Sequence, residues 1–305
     1  MKLLWLLVGA AVSVIAVPYQ RTTNLRLMTY NIRYNVKPSK AEDGEELWPI
    51  RRPLMAAQLN YELAGRPDSL VCMQEVTYPQ ALDLQDDFGN DWTLIGGGRM
   101  DGARKGELSP IFYRRSIWDM EQTETYWLSR TPNKPGSKGW DARHPRVVTV
   151  GRFRHIHTGA RIVYMCTHFD WVGKNSQVHS AAMVVDLADR WSSHKRERLP
   201  VFIAGDLNAT PDSPAYNLLA SHMYDVKYVV PSNKHFGNQN TYTGFTVDES
   251  DDMELDHMFV RDPMDITFKS FAVLNTRYDD GIFISDHRPI VVDMEITQIA
   301  RRSEQ

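Results

Sequence analysis

The chain has 305 residues, 24% of them charged and 42% hydrophobic, with a mean hydropathy of −0.42; that balance excludes a disordered tail and a multispan membrane protein. Lys and Arg number 35 against 38 Asp and Glu, a formal net charge of −3, so no global positive field draws in a polyanion. A dedicated nucleic-acid coat is disfavoured, although a local basic groove is not.

Met1-Lys2 lead into an apolar run from Leu3 to Val17 that is short for a bilayer span and ends in small residues. This reads as a secretory signal peptide over 1–16, with a retained anchor as the alternative. Residues 17–24 are then expected to be an N-terminal tail, 25–298 one domain and 299–305 a C-terminal tail, since no low-complexity linker or fixed-period repeat interrupts the middle.

Strand-like runs rich in β-branched and aromatic residues fall at 25–30, 69–73, 111–113, 147–153, 161–167, 199–204, 253–260, 268–274 and 289–294. Helical spacing alternates with them at 50–64, 79–88 and 177–191, where Val178, Ala181, Val185, Ala188 and Trp191 share one face. This mixture predicts an α+β or α/β layered fold. Loops rich in Gly, Pro, Lys and Asp are expected at 35–46, 96–109, 131–143 and 231–240. The two cysteines, Cys72 and Cys166, both lie inside apolar strand runs. They read as two buried thiols, with a bridge between neighbouring strands as the alternative.

Polar residues at the ends of apolar strands cost desolvation unless they are paired, bound to metal or open to a cleft. Asn31 and Glu75 are such residues, though alone each is as readily a turn former or a solvated acid. Asp206 and Asn208 follow Val201-Phe202-Ile203-Ala204, and a two-residue spacing puts both on one side of an extended segment. A carboxylate there takes a proton from water while the amide orients it; the competing reading is an Asx turn before a helix opening near Thr210-Pro211-Asp212. Asp256 and the run Ser285-Asp286-His287-Arg288-Pro289 supply an acid and a histidine, and an Asp paired with a His stabilises a charged imidazole against an anionic transition state. His168 ends a further strand and Glu107 precedes another. The chain's Asn-x-Ser/Thr sequon, Asn208-Ala209-Thr210, overlies this site and is expected to carry no glycan.

Thr29-Tyr30-Asn31-Ile32-Arg33, Gln74-Glu75-Val76, Thr167-His168-Phe169-Asp170, Gly205-Asp206-Leu207-Asn208-Ala209, Leu255-Asp256-His257 and Ser285-Asp286-His287-Arg288-Pro289 together resemble, in order, the motifs of the endonuclease/exonuclease/phosphatase superfamily. The resemblance implies a four-layer α/β/β/α sandwich: two mixed β-sheets packed face to face, flanked by helices, with the site at one end. By the same resemblance Glu75 is the main Mg²⁺ ligand, with Asn31 and Asp286 near metal and phosphate, and Mn²⁺ as an alternative ion. Asp206 activates water, Asn208 orients it, and His287, held by Asp256, stabilises the transition state. Glu107 stands where relatives carry the acid that orients His168, and Arg146 near a phosphate-contacting arginine. His257 departs from the aromatic residue often found there.

Arg33, Arg99, Arg143 and Arg146 with Trp140 are candidates to line one substrate groove, Arg forking onto phosphate and Trp stacking on a base or sugar; each is equally an ordinary surface or half-buried residue. The expected function is a secreted, divalent-metal-dependent phosphoesterase that attacks a phosphodiester or phosphomonoester directly with water. Its partner is the phosphoester substrate, a small molecule or nucleic acid, and it is expected to be a monomer with no membrane span after signal cleavage. An extracellular nuclease is the alternative, and a non-catalytic binder on the same fold a remote one.

Overall fold

The structure is a computed structural model that describes residues 20–299 apart from 196 and 264; the expected signal peptide lies outside the described residues. The elements run β1 (Gln20–Asn31), α1 (Trp48–Leu63), β2 (Leu70–Gln74), α2 (Tyr78–Phe88), β3 (Trp92–Ile95), β4 (Ile111–Arg114), β5 (Trp118–Trp127), β6 (Val147–His155), β7 (Arg161–His168) and α3 (Lys174–Ser192). They continue with β8 (Ser193–His194), β9 (Glu197–Arg198), β10 (Val201–Asp206), α4 (Pro214–His222), β11 (Tyr224–Asp225), α5 (Val226–Val229), β12 (His235–Gly237), β13 (Asp256–Arg261), β14 (Ile266–Val273) and β15 (Ile290–Ile299).

A seven-stranded sheet has the order β12-β14-β15-β1-β2-β4-β3 and a six-stranded sheet the order β11-β13-β10-β7-β6-β5. The central strands are buried on both faces, which is why they read as continuous apolar runs rather than as alternation. In β1, Leu25 and Leu27 point into the core between the sheets while Met28 and Tyr30 face α1 and α2. In β7, Ile162 and Tyr164 point inward while Val163 and Met165 meet α3 and α4. Three apolar layers therefore separate four structural layers, the α/β/β/α sandwich that the motifs implied.

The parallel pairs β1/β2 and β7/β10 are each joined through a helix, α1 and α3, as parallel neighbours require. The apolar stripe expected on 177–191 is the buried face of α3, with Ala181, Val185, Ala188 and Trp191 inside.

Three expectations are corrected. Residues 20–24, taken as tail, extend β1 because they pair in register with 295–299 of β15, so strand hydrogen bonding continues past the apolar run. The second terminal tail likewise begins no earlier than residue 300. Cys72 and Cys166 are bonded to each other, not free; β2 and β7 lie in different sheets, so the bridge crosses the sandwich rather than joining strand neighbours, with Cα atoms 5.3 Å apart. Among the described residues no helix is long and apolar enough to cross a membrane.

Candidate active site

Strand register gathers the polar strand ends. Asn31 and Gln74 are partners at the end of the β1/β2 pair, and Asp206 lies opposite His168 on one side and Asp256 on the other. Residues widely separated in sequence thus reach one end of the sandwich because β1, β2, β7 and β10 end there and β13 begins there.

Asp206 is the centre. One carboxylate oxygen accepts the backbone N–H of Asn208 at 2.8 Å; the other accepts Asn31 Nδ2 at 3.0 Å and lies 3.3 Å from His168 Nε2 and 3.7 Å from His287 Nε2. Burial, aided by the charge of Asp256 and opposed by His287, pushes the Asp206 carboxyl up to about 7. A base works best with a pKa near the operating pH.

Behind it, His287 Nδ1 meets Asp256 Oδ2 at 2.7 Å. Burial opposes charge on this imidazole, but Asp256 and Asp206 outweigh it and raise His287 to about 10. A protonated ring is therefore held beside the carboxylate. Tyr242 packs edge-on against it, ring centroids 5.1 Å apart. His257 bonds the carbonyl of Ala209 at 2.8 Å and packs on Tyr216, so the departure from an aromatic residue next to Asp256 adds a polar tie to the Asp206–Ala209 turn.

The expected side-by-side display of Asp206 and Asn208 along a strand is not what forms. β10 ends at Asp206, and Asn208 has a left-handed backbone, φ 47°. The turn directs Asn208 Nδ2 to the carbonyl of Phe169 at 3.1 Å and to within 3.0 Å of His168 Nε2. Asn tolerates this conformation better than most residues. The Asx-turn reading holds in part: the Asp206–Asn208 bond is an Asx turn that positions the amide, but it caps no helix. α4 starts later than expected, at Pro214, with Ser213 as cap.

His168 is not oriented by Glu107, which corrects the expected pair. Glu107 makes a two-pronged ion pair with Arg99, both contacts 2.7 Å, and lies 3.9 Å from Arg146. The guanidinium fork is the stronger partner for a carboxylate. Arg99, Glu107, Arg146, Ser109 and His168 still line one small pocket. Burial, reinforced by Arg146, Arg99 and His287, drives His168 well below its usual pKa of 6.5, so the ring is neutral.

The five groove candidates do not share one surface role. Arg99 and Arg146 reach the pocket beside His168, and the Nε atoms of both are buried without a hydrogen-bond partner. Arg33 is instead tied to Glu42 and Glu45, with Asp286 at 3.6 Å. Trp140 stacks on His179, centroids 4.4 Å apart and planes 9° apart. Arg143 covers Trp171, a residue the sequence did not single out.

Asp170, also without a role in the sequence reading, is fully buried and organises the neighbourhood. Its carboxylate accepts backbone N–H groups from Arg143, His144, Val172 and Gly173 and lies 3.6 Å from Arg146 Nε. Burial opposes its charge, but these N–H groups and Arg146 hold its pKa below the usual range. The available signal was an acid two residues past a strand-end histidine.

Glu75 adopts a left-handed backbone, φ 62°, directly after β2. Its carboxylate accepts only long bonds among those it makes to neighbours, from Asn31 Nδ2 at 3.4 Å and Tyr34 N at 3.2 Å. Ser285 Oγ ties Asp286 to the same spot by bonding the Asn31 carbonyl at 2.7 Å and Asp286 Oδ1 at 3.3 Å. Glu75, Asn31 and Asp286 offer oxygen donors alone, the set a hard divalent cation takes. Asp206, Asp256 and His287 also converge, with donor atoms within 4.8 Å of one another. That trio is already bonded internally and reads as a proton-handling line rather than a metal cage.

A model of the endonuclease/exonuclease/phosphatase family matches residues 28–287. Solved structures resemble the chain along nearly its whole length. An endonuclease/exonuclease/phosphatase from Bacteroides vulgatus is 28% identical with a TM-score of 0.78, covering 90% of this chain and 99% of its own. A family protein from Bacteroides thetaiotaomicron is 27% identical with a TM-score of 0.79, covering 94% and 100%. A mannosyl-6-phosphatase from Bacteroides thetaiotaomicron is 28% identical with a TM-score of 0.76, covering 88% and 99%. No curated protein matches the chain.

Proposed function

The chain belongs to the endonuclease/exonuclease/phosphatase family, hydrolases of phosphoester bonds, and from that premise we propose that it is a secreted, divalent-metal-dependent phosphoesterase acting as a monomer on a small phosphorylated substrate. The observation that carries this reading is the line Asp206–His287–Asp256, a base poised near neutrality beside an imidazole kept protonated by a second acid.

In the proposed reaction Asp206 accepts a proton from water as the water oxygen attacks phosphorus in line; the bond to the ester oxygen breaks, the departing oxygen takes a proton from solvent, and an alcohol and phosphate leave. Asn208, its amide nitrogen held by His168 and Phe169, orients the water through its amide oxygen. His287 donates toward the charge growing on the phosphoryl oxygens, and Asp256 keeps it charged while doing so. Arg99 and Arg146 supply guanidinium N–H groups from the adjoining pocket. Glu75, Asn31 and Asp286 would hold Mg²⁺ or Mn²⁺, which when bound neutralises phosphate charge.

A small substrate is favoured over a nucleic acid by the net charge of −3, because affinity for long polyanions comes from neutralised phosphates. The mannosyl-6-phosphatase among the similar structures supports a phosphomonoester. Secretion is supported by the Cys72–Cys166 bridge, since such bonds persist in oxidising compartments. The test is phosphate release from a panel of phosphomonoesters and diesters, with EDTA and His287→Ala controls. Activity abolished by both supports the reading; turnover indifferent to either refutes it.

A further inference from the structure

Trp171 is 55% exposed, directly follows Asp170 and lies three residues beyond His168, a separation that spans at most about 10 Å. Val172, the next residue on the same turn, is 45% exposed, so two neighbouring apolar side chains face solvent within three or four residues of His168. The surroundings of Trp171 are fixed rather than loose. One Asp170 oxygen holds the backbone N–H groups of Arg143, Val172 and Gly173, so a single buried acid positions both the Trp171 turn and the Arg143 loop. The same carboxylate stands 3.6 Å from Arg146, which lines the pocket with His168. Arg143 then lies over the indole, its Cζ 5.5 Å from the ring centroid. Each of Trp140 and Trp171 has one face covered, by His179 and by Arg143, but Trp140 is half-buried while Trp171 is exposed.

We infer that Trp171 and Arg143 form a ring-binding subsite that takes the sugar ring of a phosphorylated sugar while its phosphate occupies the catalytic centre, an inference that rests on the phosphoesterase reading above. The indole offers a flat apolar face to the ring's C–H surface, and Arg143 is a donor-only group that suits ring hydroxyls. A sugar fits better than a nucleic-acid strand, which is gripped by successive aromatic platforms along a basic groove; here Trp171 is paired with Arg143, and the formal net charge is −3.

The experiment compares kinetics of the full secreted chain and its Trp171→Ala and Trp171→Phe variants on mannose 6-phosphate, AMP and glycerol 2-phosphate with Mg²⁺. Calorimetric titration of mannose 6-phosphate into Asp206→Asn, with and without Trp171→Ala, runs alongside. Trp171→Ala is expected to raise KM for mannose 6-phosphate about 5- to 10-fold relative to glycerol 2-phosphate, with kcat for the sugar ester moving less than KM, and to weaken calorimetric binding by the same factor. Trp171→Phe should recover most of it. A loss shared equally by sugar and glycerol esters, or unchanged calorimetric binding, overturns the subsite. A larger effect on AMP overturns its assignment to sugars. Wild-type chain that turns over none of the esters, yet binds mannose 6-phosphate in a Trp171-dependent way, overturns the catalytic reading and leaves the subsite standing.

Discussion

Asp206 sits where a carboxylate is hardest to ionise, sealed from solvent and flanked by Asp256, and His287 is what makes its anion accessible near neutrality. His168, on the other side, is buried with its charge suppressed. A histidine whose folded pKa lies below its unfolded value contributes stability that is fully present above about pH 6.5 and is lost as pH falls through the folded value. Asp206, its carboxyl raised to about 7, pulls stability the other way as pH falls, so the expectation is relative: below about pH 6.5 the melting temperature of His168→Gln should fall less, or rise more, than that of the parent. Parallel pH profiles in parent and variant would show that His168 does not carry this pH dependence. Asn208 yields a second expectation at this scale. Its amide nitrogen is committed to Phe169 and His168, so peptide mapping of chain secreted from a glycosylating host should find Asn208 bare; a glycan there would be incompatible with this turn.

Strand ends, and the tight turns that follow them, set where these side chains go. Gly205 lies within β10 at φ 148°, and a Cβ there would collide with the Thr167 carbonyl of β7. Gly205→Ala should therefore part the strands that carry Asp206 and His168, destabilising by about 2–4 kcal/mol, read as a fall in denaturation midpoint; a midpoint unchanged from the parent would mean the strands tolerate separation. Much of this architecture was legible from residues alone. The α3 stripe and the doubly buried β7 and β10 announced themselves, because a strand covered on both faces must be apolar throughout. β5 did not: it is an edge strand whose middle, Glu121 to Glu124, faces solvent, so its sequence carries no apolar alternation. The site was legible as a set of strand-end polar residues and, through the resemblance, as roles. Partners were not. Glu107 choosing Arg99, Trp140 choosing His179 and Arg143 choosing Trp171 are decided by loop geometry, and loops hold no periodic pattern to read.

Across the whole molecule, the bond between Cys72 and Cys166 ties the two sheets together just beneath the site, three residues before Glu75 and two before His168, closing a sequence separation of 94. Apolar burial alone could not reveal it, because a cross-sheet pairing is invisible until the sheets are stacked. Intact mass of the purified, unreduced chain should be lower by about two hydrogens than that of the fully reduced chain, as one bridge requires. The Cys72→Ala/Cys166→Ala double variant should lose about 2–4 kcal/mol of stability; an unchanged mass on reduction would mean both thiols are free. The central claim is that Asp206 is the base of a metal-dependent phosphoester hydrolysis, and release of phosphate from mannose 6-phosphate by parent and Asp206→Asn chain, with Mg²⁺ and then with EDTA, tests it most directly. Parent turnover that EDTA abolishes, and a fall of about 10²- to 10⁴-fold in kcat for a folded Asp206→Asn, is the predicted result; an Asp206→Asn chain that turns over as fast as the parent would contradict it.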